Sequence, residues 1–177
     1  MLFNLIVATC LENGIGYKGK LPWHVKADLQ NFSKLTKGLG NAVIMGSNTL
    51  NSIPNKYLPG RDNLVLSTTQ KFHTIMSDGH IIKSFNTIDA VIDFCKLMDY
   101  EEVWIIGGES IYKQFLNKNI INKCYITIIH KYFDCDTFFP LLDKSVWKKV
   151  EHKEEYDSDY DCRIDYNVFI NHNTDCR

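Results

Sequence analysis

The chain has 177 residues, 45% of them hydrophobic, with 20 Lys+Arg against 21 Asp+Glu for a formal net charge of −1. That length predicts one domain over residues 1–177, and the hydrophobic content supplies a full core and excludes a disordered chain. The balanced charge carries no electrostatic footprint for nucleic acid or an anionic membrane, and no apolar run nears the ~20 residues of a spanning helix.

Phe3–Thr9 is a short apolar run rich in strand formers, bounded by Glu12-Asn13-Gly14, and reads as a buried strand. The first ten residues lack a basic start and a small-residue cleavage site, so they are not read as a signal peptide. Asn13 to Lys20 holds Gly14, Gly16 and Gly19 and reads as a flexible loop. Leu29, Phe32 and Leu35 recur at helical spacing within a helix predicted over Lys26–Thr36, which Gly38 and Gly40 end. Ala42–Met45 is a second buried strand. Gly46-Ser47-Asn48-Thr49 then opens a short helical segment that ends near Ile53, before Pro54. Asn63–Ser67 and Ile81–Lys83 are the next strands. Thr87 is placed to cap a helix Ile88–Leu97. Val103–Ile106 runs as a strand into Gly107-Gly108 and a helix Glu109–Leu116, and Lys123–Ile129, Lys148–Glu154 and Ile164–Ile170 close the chain as strands. Strands alternate with helices early and follow one another late. That order predicts an α/β fold: a largely parallel sheet with helices on both faces and an antiparallel edge. Ligands in such sheets bind beyond the carboxyl ends of the strands.

Cys10, Cys95, Cys124, Cys135, Cys162 and Cys176 form no C-x-x-C pair and fit no zinc spacing, so free thiols in a reducing compartment are expected, with no metal. Asp28 is the most telling single residue. On a helix it shares a face with Phe32, and Leu21, Pro22 and Trp23 wall its approach. A carboxylate among apolar walls gains proton affinity and suits proton chemistry near neutral pH. A first-turn carboxylate also simply complements the helix dipole, and alone Asp28 fits both roles. Gly107-Gly108 and Gly46 each follow a strand and precede a helix, where free N–H groups attract anions; each is equally an ordinary tight turn. Arg61, after Leu58-Pro59-Gly60, is either a carboxylate clamp or a solvated surface arginine.

Together these motifs are specific. Ile15-Gly16, Leu21-Pro22-Trp23, Asp28 with Phe32 and Thr36, Val43-Ile44-Met45-Gly46, Leu58-Pro59-Gly60-Arg61, and Ile105-Ile106-Gly107-Gly108 with Ile111-Tyr112 occur in this order and at these separations. The series resembles dihydrofolate reductase from near the first residue to about Asp136-Thr137-Phe138-Phe139-Pro140, and more loosely beyond. Aspartate at position 28 is similar to the bacterial type; animal enzymes usually carry glutamate there.

The resemblance implies an eight-stranded, mainly parallel sheet with an antiparallel C-terminal edge strand and four flanking helices. It implies reduction of 7,8-dihydrofolate to tetrahydrofolate with NADPH, serving one-carbon metabolism and thymidylate synthesis, by a cytoplasmic monomer that binds antifolates such as methotrexate or trimethoprim. By that resemblance Asp28 would hold the pterin and favour protonation at N5, with Trp23 and Thr127 as its supports. Ile6 and Ile106 would face the pterin edge through their carbonyls. Leu29, Phe32, Ile53, Leu58 and Tyr112 would pack along the substrate, and Arg61 would pair with its glutamate α-carboxylate. The cofactor would lie along Val7, Ala8, Ile15, Gly16 and Leu21, between Gly46, Ser47, Asn48 and Thr49 on one side and Gly107, Gly108, Glu109, Ser110, Ile111, Tyr112 and Gln114 on the other. Leu66, Ser67, Thr68 and Lys83 would serve its adenosine end. The Gly107-Gly108 bond would be cis, and Glu12–Leu21 would close over the nicotinamide. Ser47 departs from the family's usual arginine or lysine, which narrows the expected preference for NADPH over NADH.

Three other readings compete: a same-fold reductase acting on a ribityl-phosphate pyrimidine, a noncatalytic pterin- or nucleotide-binding module, and a piece of a chain fused to thymidylate synthase. The first would need a phosphate grip in place of Arg61. The third is disfavoured because the sequence ends at Arg177, soon after its last strand.

Overall fold

The computed structural model describes residues 1–173; Cys176 lies outside the described residues. In chain order the strands are β1 (Leu2–Cys10), β2 (Gly14–Gly16), β3 (Asn41–Gly46), β4 (Asp62–Leu66), β5 (His73–Ile75), β6 (Ile81–Phe85), β7 (Glu102–Gly107), β8 (Lys123–Ile129), β9 (Thr137–Phe138), β10 (Trp147–Asp157) and β11 (Cys162–Asn171). The helices are α1 (Lys26–Thr36), α2 (Ser47–Ser52), α3 (Ile88–Met98) and α4 (Glu109–Asn117). No helix among the described residues is long and apolar enough to cross a membrane.

One sheet organises the molecule, in the order β10, β11, β8, β1, β7, β3, β4, β6, β5. The five pairings from β8 to β6 are parallel. Their strands are buried on both faces, which is why β1, β3 and β7 read as continuous apolar runs rather than alternating ones. One face carries Leu5, Ala42, Ile44, Leu64 and Ile105 under α3 and α4, whose inner residues are Ile88, Val91, Ile92, Cys95, Ile111 and Phe115. The other face carries Ile6, Val43, Met45, Val65 and Trp104 beneath Phe32 and Leu35 of α1. Thr87 caps α3 as expected, its hydroxyl accepting from Ala90 N–H at 3.1 Å.

Two expectations need correction. The sheet has nine strands, not eight, and it is antiparallel at both ends rather than along one edge strand. At the C-terminal end β10 and β11 form a long antiparallel hairpin, and β11 joins β8. At the far edge the short β5 pairs antiparallel with β6. All three β5 residues are exposed, so no hydrophobic periodicity marks the strand. The segment Asn13–Lys20 is not a plain flexible loop: β2 pairs with β9 to make a second, two-stranded sheet. Lys18 N–H donates to Asp136 Oδ2 at 2.9 Å, and Tyr17 and Lys20 exchange backbone hydrogen bonds.

Candidate active site

The carboxyl ends of β1, β3 and β7 lie side by side, and the candidate residues gather there. Helix α1 begins at Val25 without a side-chain cap, so its first turn leaves backbone N–H groups free for an acid. Asp28 sits in that turn. Burial raises its pKa above the usual carboxylate range, and the Thr127 hydroxyl, donating to it, pulls partly the other way. Thr127 is buried on β8, paired in register with Ala8 of β1. Asp28 is therefore both a first-turn acid and a desolvated one.

The surroundings are apolar on most sides. Trp23 is buried with its ring 5.3 Å from that of Phe133, and its Nε1 meets no acceptor among the described residues. Tyr112, buried on α4, donates to the Ile6 carbonyl at 2.9 Å and packs edge-on to Phe139 at 5.2 Å. Burial, then the Asp28 charge, push its phenol well above the usual range. Phe32, Ile53, Leu58 and Ile106 are half-buried on the α1 face, in the layer of Ile6 and Leu50. Leu21 and Leu29 are exposed, so only Trp23 of the predicted Leu21–Trp23 wall is enclosed. Tyr166 on β11 was not singled out from the sequence, yet its phenol is raised by burial, then by the charges of Glu155 and Asp28. Its place in a late strand with alternating polar residues gave no local signal.

Arg61 is buried, not a solvated surface arginine. Its guanidinium donates to Thr36 Oγ1 at 2.5 Å and to the Pro59 carbonyl at 3.0 Å, and burial lowers its pKa. Those two bonds occupy part of a five-donor fork.

On the other side of the strand ends the backbone is bare. The Gly107-Gly108 bond is cis. A Cβ on Gly46 would stand 3.2 Å from the Ile111 side chain, and one on Gly108 would stand 3.6 Å from Thr49 Oγ1. The starts of α2 and α4 thus face each other across a cleft floored by glycine. Neither helix has a side-chain cap, and the first α4 hydrogen bond is that of Tyr112 N–H to the Gly108 carbonyl. Glu109, Ser110 and Ile111 precede it, so their N–H groups have no place in the helix ladder. Glu109 does not load this cradle with charge: its carboxylate accepts from Phe138 N–H at 2.7 Å and lies 3.4 Å from Lys113 Nζ. A two-sided, N–H-lined cleft without a carboxylate fits a diphosphate.

The remaining expected cofactor residues are placed as follows. Val7 is buried and Ala8 half-buried at the end of β1; Ile15 and Gly16 lie on β2. Ser47 and Asn48 open α2. Leu66 ends β4 and Thr68 is exposed just beyond it. Ser67 Oγ accepts from the N–H groups of Thr69 and Gln70, at 3.3 and 3.0 Å, so its lone pairs serve a turn. Lys83 Nζ lies over the Phe85 and Phe94 rings, 5.4 and 6.0 Å from their centroids. Gln114 donates to Ser110 Oγ at 2.9 Å. Among the described residues, donor atoms of His152, Glu154 and Asp165 also converge within 4.8 Å. That cluster lies on the C-terminal hairpin, where His130 and Arg163 already take up the Asp165 carboxylate at 2.6 and 3.0 Å.

A dihydrofolate reductase family model matches residues 2–171. The chain belongs to the dihydrofolate reductase family. It is 40% identical over 168 residues to the dihydrofolate reductase of Haemophilus influenzae, covering 93% of this chain and 96% of that one. It is 36% identical over 160 residues to that of Heliothis virescens, covering 85% of each. Among solved structures it resembles an Enterococcus faecalis dihydrofolate reductase complexed with NADP(H) and an inhibitor, with a TM-score of 0.79, 28% identity and coverage of 97% and 96%. The reductase therefore reduces dihydrofolate with NADPH. The family match spans the whole sheet, which weighs against the ribityl-phosphate reading.

Proposed function

We propose that Asp28 anchors the pterin of dihydrofolate in the cleft between α1 and the ends of β1 and β7. The observation that carries this reading is a desolvated carboxylate, braced by Thr127, at the carboxyl ends of parallel strands and opposite an N–H-lined cradle. Asp28 accepts from the 2-amino group and adjacent ring nitrogen. The Ile6 and Ile106 carbonyls edge the ring, and Phe32, Ile53, Leu58, Leu29 and Tyr112 pack on the pterin and aminobenzoyl groups. Arg61 pairs with the glutamate α-carboxylate through its free donors.

NADPH supplies the hydride that adds to C6. Ala8 and Ile15 hold its carboxamide end through backbone groups, with Val7, Gly16 and Leu21 beside them. The N–H groups of Glu109, Ser110 and Ile111, with Gly46, Thr49, Gly107 and Gly108, take the pyrophosphate. Leu66, Ser67, Thr68, Lys83, Gln114 and Asn48 lie toward the adenosine. Ser47 gives a hydroxyl where a cation would give a charge-assisted bond, so the margin over NADH is reduced. The protein aligns the two rings and manages the proton. One carboxylate cannot reach both ends of the pterin, so Asp28 favours the proton at N5 through water, and Trp23 Nε1 is the donor placed to hold that water. The segment from β2 to Leu21 shuts the nicotinamide from solvent.

The test is the rate of NADPH oxidation with and without dihydrofolate, in the wild type and in Asp28→Asn. We expect dihydrofolate-dependent oxidation that methotrexate abolishes. Asp28→Asn keeps NADPH binding but loses on the order of 100-fold or more in turnover at pH 7, the usual weight of a proton-transfer group, and regains part of it in acid. Near-normal turnover at pH 7 would remove Asp28 from this role. Oxidation that ignores dihydrofolate would favour a binding module.

The reading extends to binding of methotrexate- and trimethoprim-like antifolates, to a single domain, and to a cytoplasmic monomer. The reducing compartment rests on the cysteine spacing, which fits no disulfide framework or zinc motif. Along the outer strand β10, Lys148, Lys149, Glu151, Lys153 and Glu154 are exposed, a charged edge that resists pairing with a second sheet.

A further inference from the structure

The turn that carries Arg61 is held from two directions. From within, Asn63, fully buried on β4, accepts from Leu58 N–H at 2.9 Å and donates to the Leu58 and Arg61 carbonyls at 2.8 and 3.0 Å. From outside comes Asp78, in the turn between β5 and β6. Its Oδ2 accepts the Gly60 N–H at 2.9 Å, and its carboxylate receives the Tyr57 hydroxyl at 2.7 Å. Its Oδ1 also takes the His80 N–H at 3.2 Å, which fixes the carboxylate to its own turn. These bonds to the charged form, Gly60 first, hold the Asp78 pKa down to about 2, so it is ionised across the working range of pH.

The same hairpin grips the residue after Arg61. Asp62 accepts from Ile81 N–H at 3.0 Å, lies 3.1 Å from His80 Nδ1 and receives the Tyr100 hydroxyl at 2.7 Å. Tyr57, Gly60 and Asp62 are thus all bound to one hairpin, and Arg61 stands between the last two. The turn also needs the grip: Gly60 has φ +78°, a conformation with few competitors once its N–H is held and many when it is free.

We propose that Asp78 is a positioning residue for Arg61, holding the Tyr57–Gly60 turn so that the guanidinium faces the glutamate α-carboxylate of dihydrofolate, and that preference for glutamate-bearing folates depends on it. The proposal rests on the reading of Arg61 as the carboxylate clamp. A residue that sets a clamp should act on binding of the clamped group alone. The glutamate tail lies away from the reacting C6, so misplacing Arg61 raises KM and leaves turnover alone.

The experiment compares dihydrofolate with 7,8-dihydropteroate, which lacks the glutamate, in the wild type, Asp78→Ala, Asp78→Asn and Arg61→Gln. For Asp78→Ala we expect KM for dihydrofolate to rise about tenfold, the order of one charge-assisted contact. Its kcat stays within about twofold, and kcat/KM for dihydropteroate does not change. Asp78→Asn keeps an acceptor for Gly60 N–H and should fall between Asp78→Ala and wild type. Two results overturn the proposal while leaving the clamp in place: Arg61→Gln separates the two substrates and Asp78→Ala does not, or Asp78→Ala weakens both substrates equally. If Arg61→Gln itself fails to separate them, the clamp falls and the proposal with it.

Discussion

At the scale of the residue, the burial of Asp28 makes stability depend on pH. Its ordinary pKa is 3.8, and burial raises it in the folded protein. Above pH 3.8 the folded state therefore holds more of this proton than the unfolded chain does. Stability from the protonated acid is fully present below 3.8 and is lost as pH rises through the folded value. Asp28→Asn removes that loss. The variant should melt higher than wild type at pH 7, with the gap closing as pH falls toward 4, as thermal denaturation at several pH values would show. An equal Tm at all pH values would mean that Asp28 is not desolvated in solution. Asp28 was legible in the sequence because its apolar neighbours are local, and Arg61 because the turn residues precede it directly. Asp78, Asn63 and Tyr166 were not. Asp78 reaches Gly60 across 18 residues and Tyr57 across 21, and a Ser-Asp-Gly turn signals only itself.

At the scale of the element, Gly107 sits at the junction of β7 and α4, where a side chain is strained. Gly107 has φ +116°, and a Cβ there would lie 3.1 Å from the Tyr112 ring. That ring cannot swing aside freely, because its hydroxyl is bonded to Ile6. Gly107→Ala should cost about 1–3 kcal/mol from backbone conformation alone. The urea midpoint would drop, and NADPH binding would weaken as the start of α4 shifts. An unchanged midpoint would show that the turn relaxes. Long apolar runs announced β1, β3 and β7, and a cap with helical periodicity announced α3. The strands missed, β2, β5 and β9, have two or three residues each. β5 lies close to its partner β6 but buries no residue, so no pattern marks it; β2 exists because β9 reaches it, and no window of sequence contains both.

At the scale of the whole molecule, one sheet separates two apolar layers. Ile105, fully buried on β7, packs into the layer under α3 and α4, and its neighbour Trp104 faces the layer under α1. Ile105→Ala should cost about 2–5 kcal/mol, since close-packed cores collapse only partly around a lost side chain. Equilibrium denaturation followed by tryptophan fluorescence measures it, and a cost well under 1 kcal/mol would mean that the layer is loosely packed.

The position of β1 has a consequence for the order in which the enzyme comes into being. It is the first strand to be made, yet its neighbours in the sheet are β7 and β8, and the bond from Tyr112 to Ile6 spans 106 residues. A chain emerging from the ribosome holds Asp28 and the first apolar strand long before Thr127 exists to complete the pocket. Until then β1 offers two bare hydrophobic faces to chaperones and to other nascent chains. Antifolate binding at the proposed site, which needs both walls of the cleft, would thus report the moment at which synthesis has passed β8 and the sheet has closed around its oldest strand.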